Sequence, residues 1–251
     1  MCGIAGYLRP AGLLDPVVHE RMAAKIAHRG PDGSGSWTDA AAGLVFLHSR
    51  LKIQDLTEAA HQPMRSADET VALVFNGEIY NFHQLRDELR ASGSTFQSTG
   101  DTEVLLELCR RDPELTFLPQ LNGMFSFAVW HSPTRTLSLV RDRTGVKPLL
   151  YAPLPGGGLA FASEMAAVRP ALGEQTIDPA TVMQLLTLGF VAAPRSIFHQ
   201  VHKLRPGHLL RWRDGRFTIR IWAPDIGEAF DPAGASRPPA DFHEACERLR
   251  L

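Results

Sequence analysis

An α+β fold is predicted for this chain from three features of its sequence. Short apolar runs of strand length recur along it, separated by turns rich in Gly, Pro and Asx residues that join antiparallel neighbours. Helical periodicity comes in blocks between these runs without alternating strictly with them, which argues against βαβ units. The length of 251 residues is enough to bury a substantial core, in one large domain or two smaller ones.

The elements follow in order. Gly3–Leu8 reads as a strand buried on both faces. Asp15-Pro16 reads as an N-cap with proline in the first helical turn, and Val18, Met22 and Ile26 share the helix's inner face. Residues 28–36 are glycine-rich and polar, hence a loop. Strands are expected at 44–47 and 70–75, bracketing a loop at 61–64, and helices at 81–90 and 102–111. The stretches 125–130 and 137–140 are strand-like and joined by a Ser-Pro turn; 149–151 and 159–162 flank a turn of proline and glycine. Asp178-Pro179 opens another helix, with Val182, Leu185 and Leu186 expected inside. Asp214-Gly215 between 209–213 and 216–221 marks a tight hairpin. Residues 223–240 read as a linker rich in Pro, Gly and Ala, and a further helix is expected from Asp241.

Composition excludes several functions. A formal net charge of −1 with no dense basic stripe argues against a nucleic-acid partner or an anionic membrane surface. The longest apolar stretch, at 185–193, is broken by Thr187 and Gly189 and is too short to span a bilayer. The N-terminus shows no basic and apolar leader regions, so no signal peptide is expected. Three cysteines, odd in number and far apart, fit a reducing cytosol better than a disulfide framework, so a cytoplasmic location is expected. The histidines lack metal-ligand spacing and no metal site is expected. Cys109 and Cys246 read as inert.

Cys2 follows the initiator methionine and precedes small residues. If Met1 is removed, one amino acid carries both a thiol and a free α-amine, whose unperturbed pKa of about 7.7–8.0 lets it take and return a proton near neutrality. A nucleophile with its own base attached needs no separate histidine.

Around Cys2 runs a succession of phrases: MCGIAGYL at 1–8, HRGPDG at 28–33, HSRLKIQDL at 48–56, HQPM at 61–64, FNGEIYN at 75–81 and STGDTEVLLE at 98–107. LNGMFSFAVW at 121–130, RDRTGVKPLLY at 141–151 and FASE at 161–164 complete it. In order and without large gaps, they resemble the N-terminal glutaminase domain of class II glutamine amidotransferases, and within those the glutamine-hydrolysing asparagine synthetases. The resemblance implies the four-layer αββα sandwich of the N-terminal nucleophile hydrolases. It implies a glutaminase domain at 2–190, a hairpin and linker at 191–240, and at 241–251 the start of a truncated or absent synthetase domain.

The same resemblance implies the site. Cys2 would attack the amide carbon of L-glutamine, and its α-amine would protonate departing ammonia and later activate water. Asn76 and Gly77 would form the oxyanion hole, although Asn-Gly by itself reads as a turn. Arg50 would hold the α-carboxylate, since its planar fork suits bidentate recognition. Asp101, with backbone near Glu78, would bind the α-ammonium, although an Asp there also suits a helix N-terminus. Leu51, Lys52, Ile53 and Gln54 would line the pocket, partly through backbone atoms. His28-Arg29-Gly30 matches a loop near the pocket whose role the residues do not reveal. The RDRTGVKP segment reads as a structural loop of ion pairs.

Glutaminase chemistry implies no cofactor. ATP and Mg are expected only for a synthetase domain, in cis or in trans, that receives the ammonia, aspartate being the default acceptor. Neither the Ser-Gly-Gly-x-Asp-Ser loop of that domain nor a Walker A loop occurs in the sequence. The chain is therefore expected to be a fragment, a truncation or a subunit serving a separate synthetase, and a homodimer is left open. Leu150, Met165, Ala166 and Gln54 depart from the family pattern without touching the chemistry. Two alternatives remain: a non-catalytic docking or regulatory subunit with this fold, and the glutaminase half of a phosphoribosyl or hexosamine amidotransferase, against which LRPGHLLRW at 204–212 argues.

Overall fold

The computed structural model describes residues 1–10 and 14–223. The expected helix from Asp241, Cys246 and all but the first residue of the expected linker lie outside them.

Two six-stranded antiparallel sheets face each other. The first takes β1 (Gly3–Leu8), β2 (Gly33–Asp39), β3 (Leu44–Arg50), β8 (Leu150–Leu154), β9 (Gly158–Ala162) and β10 (His202–Lys203), in the spatial order β10-β8-β9-β1-β3-β2. The second takes β4 (Met64–Arg65), β5 (Val71–Ile79), β6 (Gly123–His131), β7 (Thr136–Arg141), β11 (His208–Arg213) and β12 (Arg216–Ile221), in the order β12-β11-β7-β6-β5-β4. Helices α1 (Pro16–Ile26) and α4 (Met165–Val168) cover the outer face of the first sheet, and α3 (Asp101–Arg111), paired with α2 (Phe82–Ala91), covers that of the second. Helix α5 (Pro179–Leu188) follows α4.

This is the expected α+β architecture, a four-layer αββα sandwich. Its inner strands, among them β1, β3 and β9, are buried on both faces and so read as continuous apolar runs, whereas β2 and β12 at the edges are not. Along β1, Ile4 and Leu8 pack between the sheets with Trp130 and Phe161, whereas Ala5 and Tyr7 pack under α1 with Met22 and Ile26. In β5, Val74 points between the sheets while Leu73 and Phe75 meet Leu85, Val104 and Leu105 of α2 and α3. Asp15 caps α1 as its sequence suggests, its carboxylate accepting the Val17 N–H at 2.9 Å. The expected hairpin turn forms at Asp214-Gly215, both in the left-handed region (φ 50° and 78°), and β11 pairs with β7, so the hairpin extends the second sheet.

Three expectations change. The second half of the 28–36 loop, from Gly33, becomes the start of β2, because its backbone pairs with β3 in register from Gly33↔Arg50 onward; pairing, not side-chain pattern, makes this edge strand. On α5, Leu186 is 75% exposed and Leu185 also faces solvent, leaving Thr181 as its buried residue among those described. The RDRTGVKP loop is knitted by main-chain hydrogen bonds instead of ion pairs. Fully buried Asp142 accepts the N–H groups of Phe125, Thr144, Val146 and Lys147, and Arg141 donates to the carbonyls of Gly145, Lys147 and Leu204.

Candidate active site

Cys2 enters β1 opposite the end of β3, since Gly3 pairs with Ser49. Its thiol therefore lies against the chain leaving β3: the Leu51 N–H donates to Sγ at 3.3 Å, and Sγ reaches the Leu51 carbonyl at 3.6 Å. The Cys2 carbonyl accepts the Arg29 Nε–H at 2.9 Å, and Arg29 in turn pairs with Glu164 Oε1 at 2.7 Å, the same oxygen that His28 Nε2 meets at 3.0 Å. Hydrogen bonds and charges from Arg29 and His28 hold the Glu164 carboxyl below its usual range against the opposing effect of burial. That chain gives the HRG loop and the Glu of FASE a shared place: they anchor the backbone of Cys2.

Asn76 and Gly77 lie within β5, not in a turn, in register with Ser126 and Phe125 of β6. The Asn76 Nδ2 amide is buried and has no hydrogen-bond partner, an unusual cost for a buried donor. At Gly77, a Cβ would stand 2.6 Å from Phe125 Cα and closer still to the Met124 carbonyl, so only glycine fits beside β6 here. Just before Asn76, the ladder is completed by a side chain: Gln62 accepts the Phe75 N–H at 2.6 Å.

Arg50 is 5% exposed, and its guanidinium donates to the carbonyls of Asp55 and, at 2.8 Å, Thr57. Two of its five N–H donors are thus used to fix its plane. Asp55 is itself tied down. Burial opposes its charge, but hydrogen bonds from Thr57 and Thr99 hold its carboxyl far below the usual range.

Asp101 is the first residue of α3, yet its carboxylate does not cap that helix. Gly100 holds the cap position, and Asp101 Oδ2 accepts the Ile79 N–H at 2.9 Å. Burial raises its pKa to about 6, against the lowering by that hydrogen bond and with Glu78 adding to the rise.

One cavity joins these residues. Cys2, Arg50, Asn76, Gly77, Glu78 and Asp101 line it, with Leu51, Ile53 and Gln54 on its wall. Lys52 is the exception among the expected residues: its ammonium pairs with Glu58 at 3.0 Å, and it is not part of the lining. Met1, Gln62 and Lys147 do line the cavity and carried no sequence signal for it. His48, close by, is structural. Burial drops its pKa to about 3, so the neutral ring donates Nε2–H to the Phe75 carbonyl at 3.3 Å. Cys109 is buried and its thiol pKa is raised by burial. Among the described residues no cluster of three or more His, Cys, Asp or Glu is arranged to hold a metal, and no helix is long and apolar enough to cross a membrane.

A thiol, an orphaned buried amide, a fixed guanidinium and a desolvated carboxylate thus converge on one cavity. Comparison with known proteins identifies the family of the whole described stretch. A family model described as "Glutamine amidotransferase domain" matches residues 1–223. Asparagine synthetase [glutamine-hydrolyzing] 1 of Bacillus subtilis is 37% identical over 227 residues, covering 88% of this chain and 35% of that protein. A putative asparagine synthetase [glutamine-hydrolyzing] of Mycobacterium tuberculosis is 36% identical over 258 residues, covering 95% of this chain and 38% of that protein. The chain thus spans little more than a third of the length of these relatives. Among solved structures, the glutamine phosphoribosylpyrophosphate amidotransferase of B. subtilis superposes with a TM-score of 0.64 at 21% identity, covering 88% of this chain and 49% of that one. At that identity the likeness is one of fold.

Proposed function

This chain belongs to the glutamine amidotransferase domain family, homologous to the glutaminase half of glutamine-hydrolysing asparagine synthetases, and on that premise we propose that it hydrolyses glutamine to glutamate and ammonia through a thioester on Cys2. Removal of Met1 frees the α-amine of Cys2. The amine takes the thiol proton as Sγ attacks the side-chain amide carbon, and the carbonyl oxygen becomes an oxyanion. Asn76 Nδ2–H and the Gly77 N–H hold that charge; each such donor is worth about 10²–10³ in rate. The tetrahedral species collapses with the C–N bond breaking, and the ammonium of Cys2 protonates the leaving nitrogen to ammonia. The amine, neutral again, deprotonates a water that attacks the thioester, which releases glutamate and restores the thiol.

Arg50 takes the α-carboxylate of glutamine on its unused N–H groups. Asp101 takes the α-ammonium, which stabilises a carboxylate that burial otherwise disfavours. Leu51, Ile53 and Gln54 shape the side-chain slot. The ammonia passes to a synthetase half, in cis or in trans, where ATP and Mg would activate an acceptor carboxylate, aspartate being favoured by the names of the relatives.

The observation that carries this reading is the unpartnered Asn76 amide, buried in the same cavity as the Cys2 thiol. Intact mass and ammonia release test it together. Loss of one methionine, with turnover that disappears in Cys2→Ala, is expected. Activity persisting in Cys2→Ala overturns the mechanism, and a retained Met1 without turnover turns the reading toward a docking subunit.

A further inference from the structure

Lys147 lies in the loop after β7 and lines the cavity while only 6% exposed. Buried lysines normally hold a carboxylate. Among the described residues this one holds none: its recorded hydrogen bond goes to the Met1 sulfur, at 3.5 Å. Thioether sulfur is a weak acceptor. The acid of its own loop, Asp142, is saturated by backbone N–H groups and the Thr144 hydroxyl.

Cleavage after Met1 would remove that partner and create an amine from the nitrogen a few bonds from the departed sulfur. The Lys147 amine and the new α-amine would then lie in one cavity, where protonation of one disfavours protonation of the other. The other charges nearby are committed elsewhere. Arg29 is neutralised by Glu164, and Arg50 is held by the carbonyls of Asp55 and Thr57 and offers its free donors to substrate. Asp101 is bound to the Ile79 N–H, Asp55 to Thr57 and Thr99, and Glu78 is the remaining acid of the lining.

We propose that Lys147 is a positioning residue for the proton chemistry, whose ammonium disfavours protonation of the Cys2 α-amine and keeps that amine available as a base at neutral pH. A neighbouring cation is a general means of activating an amine. The inference rests on the reading of Cys2 as the matured nucleophile, and goes beyond it by naming what sets the working pH.

The test is the pH profile of kcat/KM for ammonia release in the mature protein, Lys147→Met and Lys147→Arg. Loss of the cation is expected to move the acid limb upward by about one pH unit. Activity near pH 6.5 would then fall about tenfold while the alkaline plateau holds. Lys147→Arg should keep the wild-type limb. A lowered plateau with an unmoved limb overturns the proposal, as does an arginine variant shifted as far as the methionine one. A second readout needs neither turnover nor a stable variant: the pH dependence of reductive methylation at the α-amine of the wild-type protein. A midpoint below about 7 is expected, and one at or above the unperturbed value of about 7.7–8.0 overturns the proposal. Because labelling is independent of catalysis, it separates failure of this inference from failure of the hydrolysis reading.

Discussion

Replacing Asp101 by asparagine should make the protein more stable at neutral pH and far weaker for glutamine. The carboxyl titrates at about 6 in the fold against a reference of 3.8, chiefly because it is desolvated. That difference corresponds to about 3 kcal/mol. As pH rises from about 4 to 6, the unfolded chain has released this proton while the folded chain still holds it. Folding stability therefore declines through that window and stays lowered above it. Asparagine avoids the charge and can still accept the Ile79 N–H, but it places an amide where the second oxygen meets the Thr102 hydroxyl at 3.4 Å. Allowing about 1–2 kcal/mol for that mismatch leaves a net gain of about 1–2 kcal/mol at pH 7.5. For a domain of this size the gain raises Tm by about 4 °C. Thermal unfolding of both proteins at pH 7.5 and pH 4 is the assay; at pH 4, where the folded wild type carries no charge at this position, the mismatch remains and the gap should reverse, leaving the variant less stable by about 1 kcal/mol. In parallel, KM for glutamine should rise about 100-fold as the partner of its ammonium is lost. An Asp101→Asn variant less stable than wild type at pH 7.5, or a gap unchanged at pH 4, refutes the reasoning.

Asn76→Ala should lower kcat by about 10²–10³ with little change in KM, because its amide meets charge present only in the transition state; steady-state kinetics decide. Gly77→Ala should lower Tm and activity together, since its Cβ would sit 2.6 Å from Phe125 Cα and force β5 from β6, at a cost of about 1–3 kcal/mol. Arg29→Ala should reduce kcat about tenfold more than it perturbs KM, because it releases the Cys2 carbonyl and leaves Glu164 without its cation. Saturation kinetics with a parallel melting curve distinguish that outcome from simple unfolding.

Signals local in sequence carried over to the structure. Asp15-Pro16 and Asp178-Pro179 start helices, Asp214-Gly215 turns a hairpin, and doubly buried strands show as apolar runs, because capping, φ preference and strand burial act over a few residues. The likeness of the phrases to a known family located Cys2, Arg50, Asn76, Gly77 and Asp101, and the fold brings all five to one cavity. What local pattern missed depended on partners far away in the chain. β2 is a strand because β3 supplies its hydrogen bonds, and the outward face of α5 shows that periodicity reveals an apolar side without saying what covers it. Asp101 reads locally as a helix start, yet its carboxylate serves β5 across 22 residues.

By itself, the order of amino acids determined the α+β class, the starts of α1 and α5 and the place of a thiol at position 2, since these depend on neighbouring residues and on side-chain type. Only tertiary structure decided that Arg29 and Glu164, 135 positions apart, grip the Cys2 backbone, that Lys52 turns away, and that Lys147 enters the cavity. The reason is physical: a side chain's charge, burial and unmet hydrogen bonds are properties of the space around it, and that space is assembled by two sheets whose strands come from distant parts of the chain.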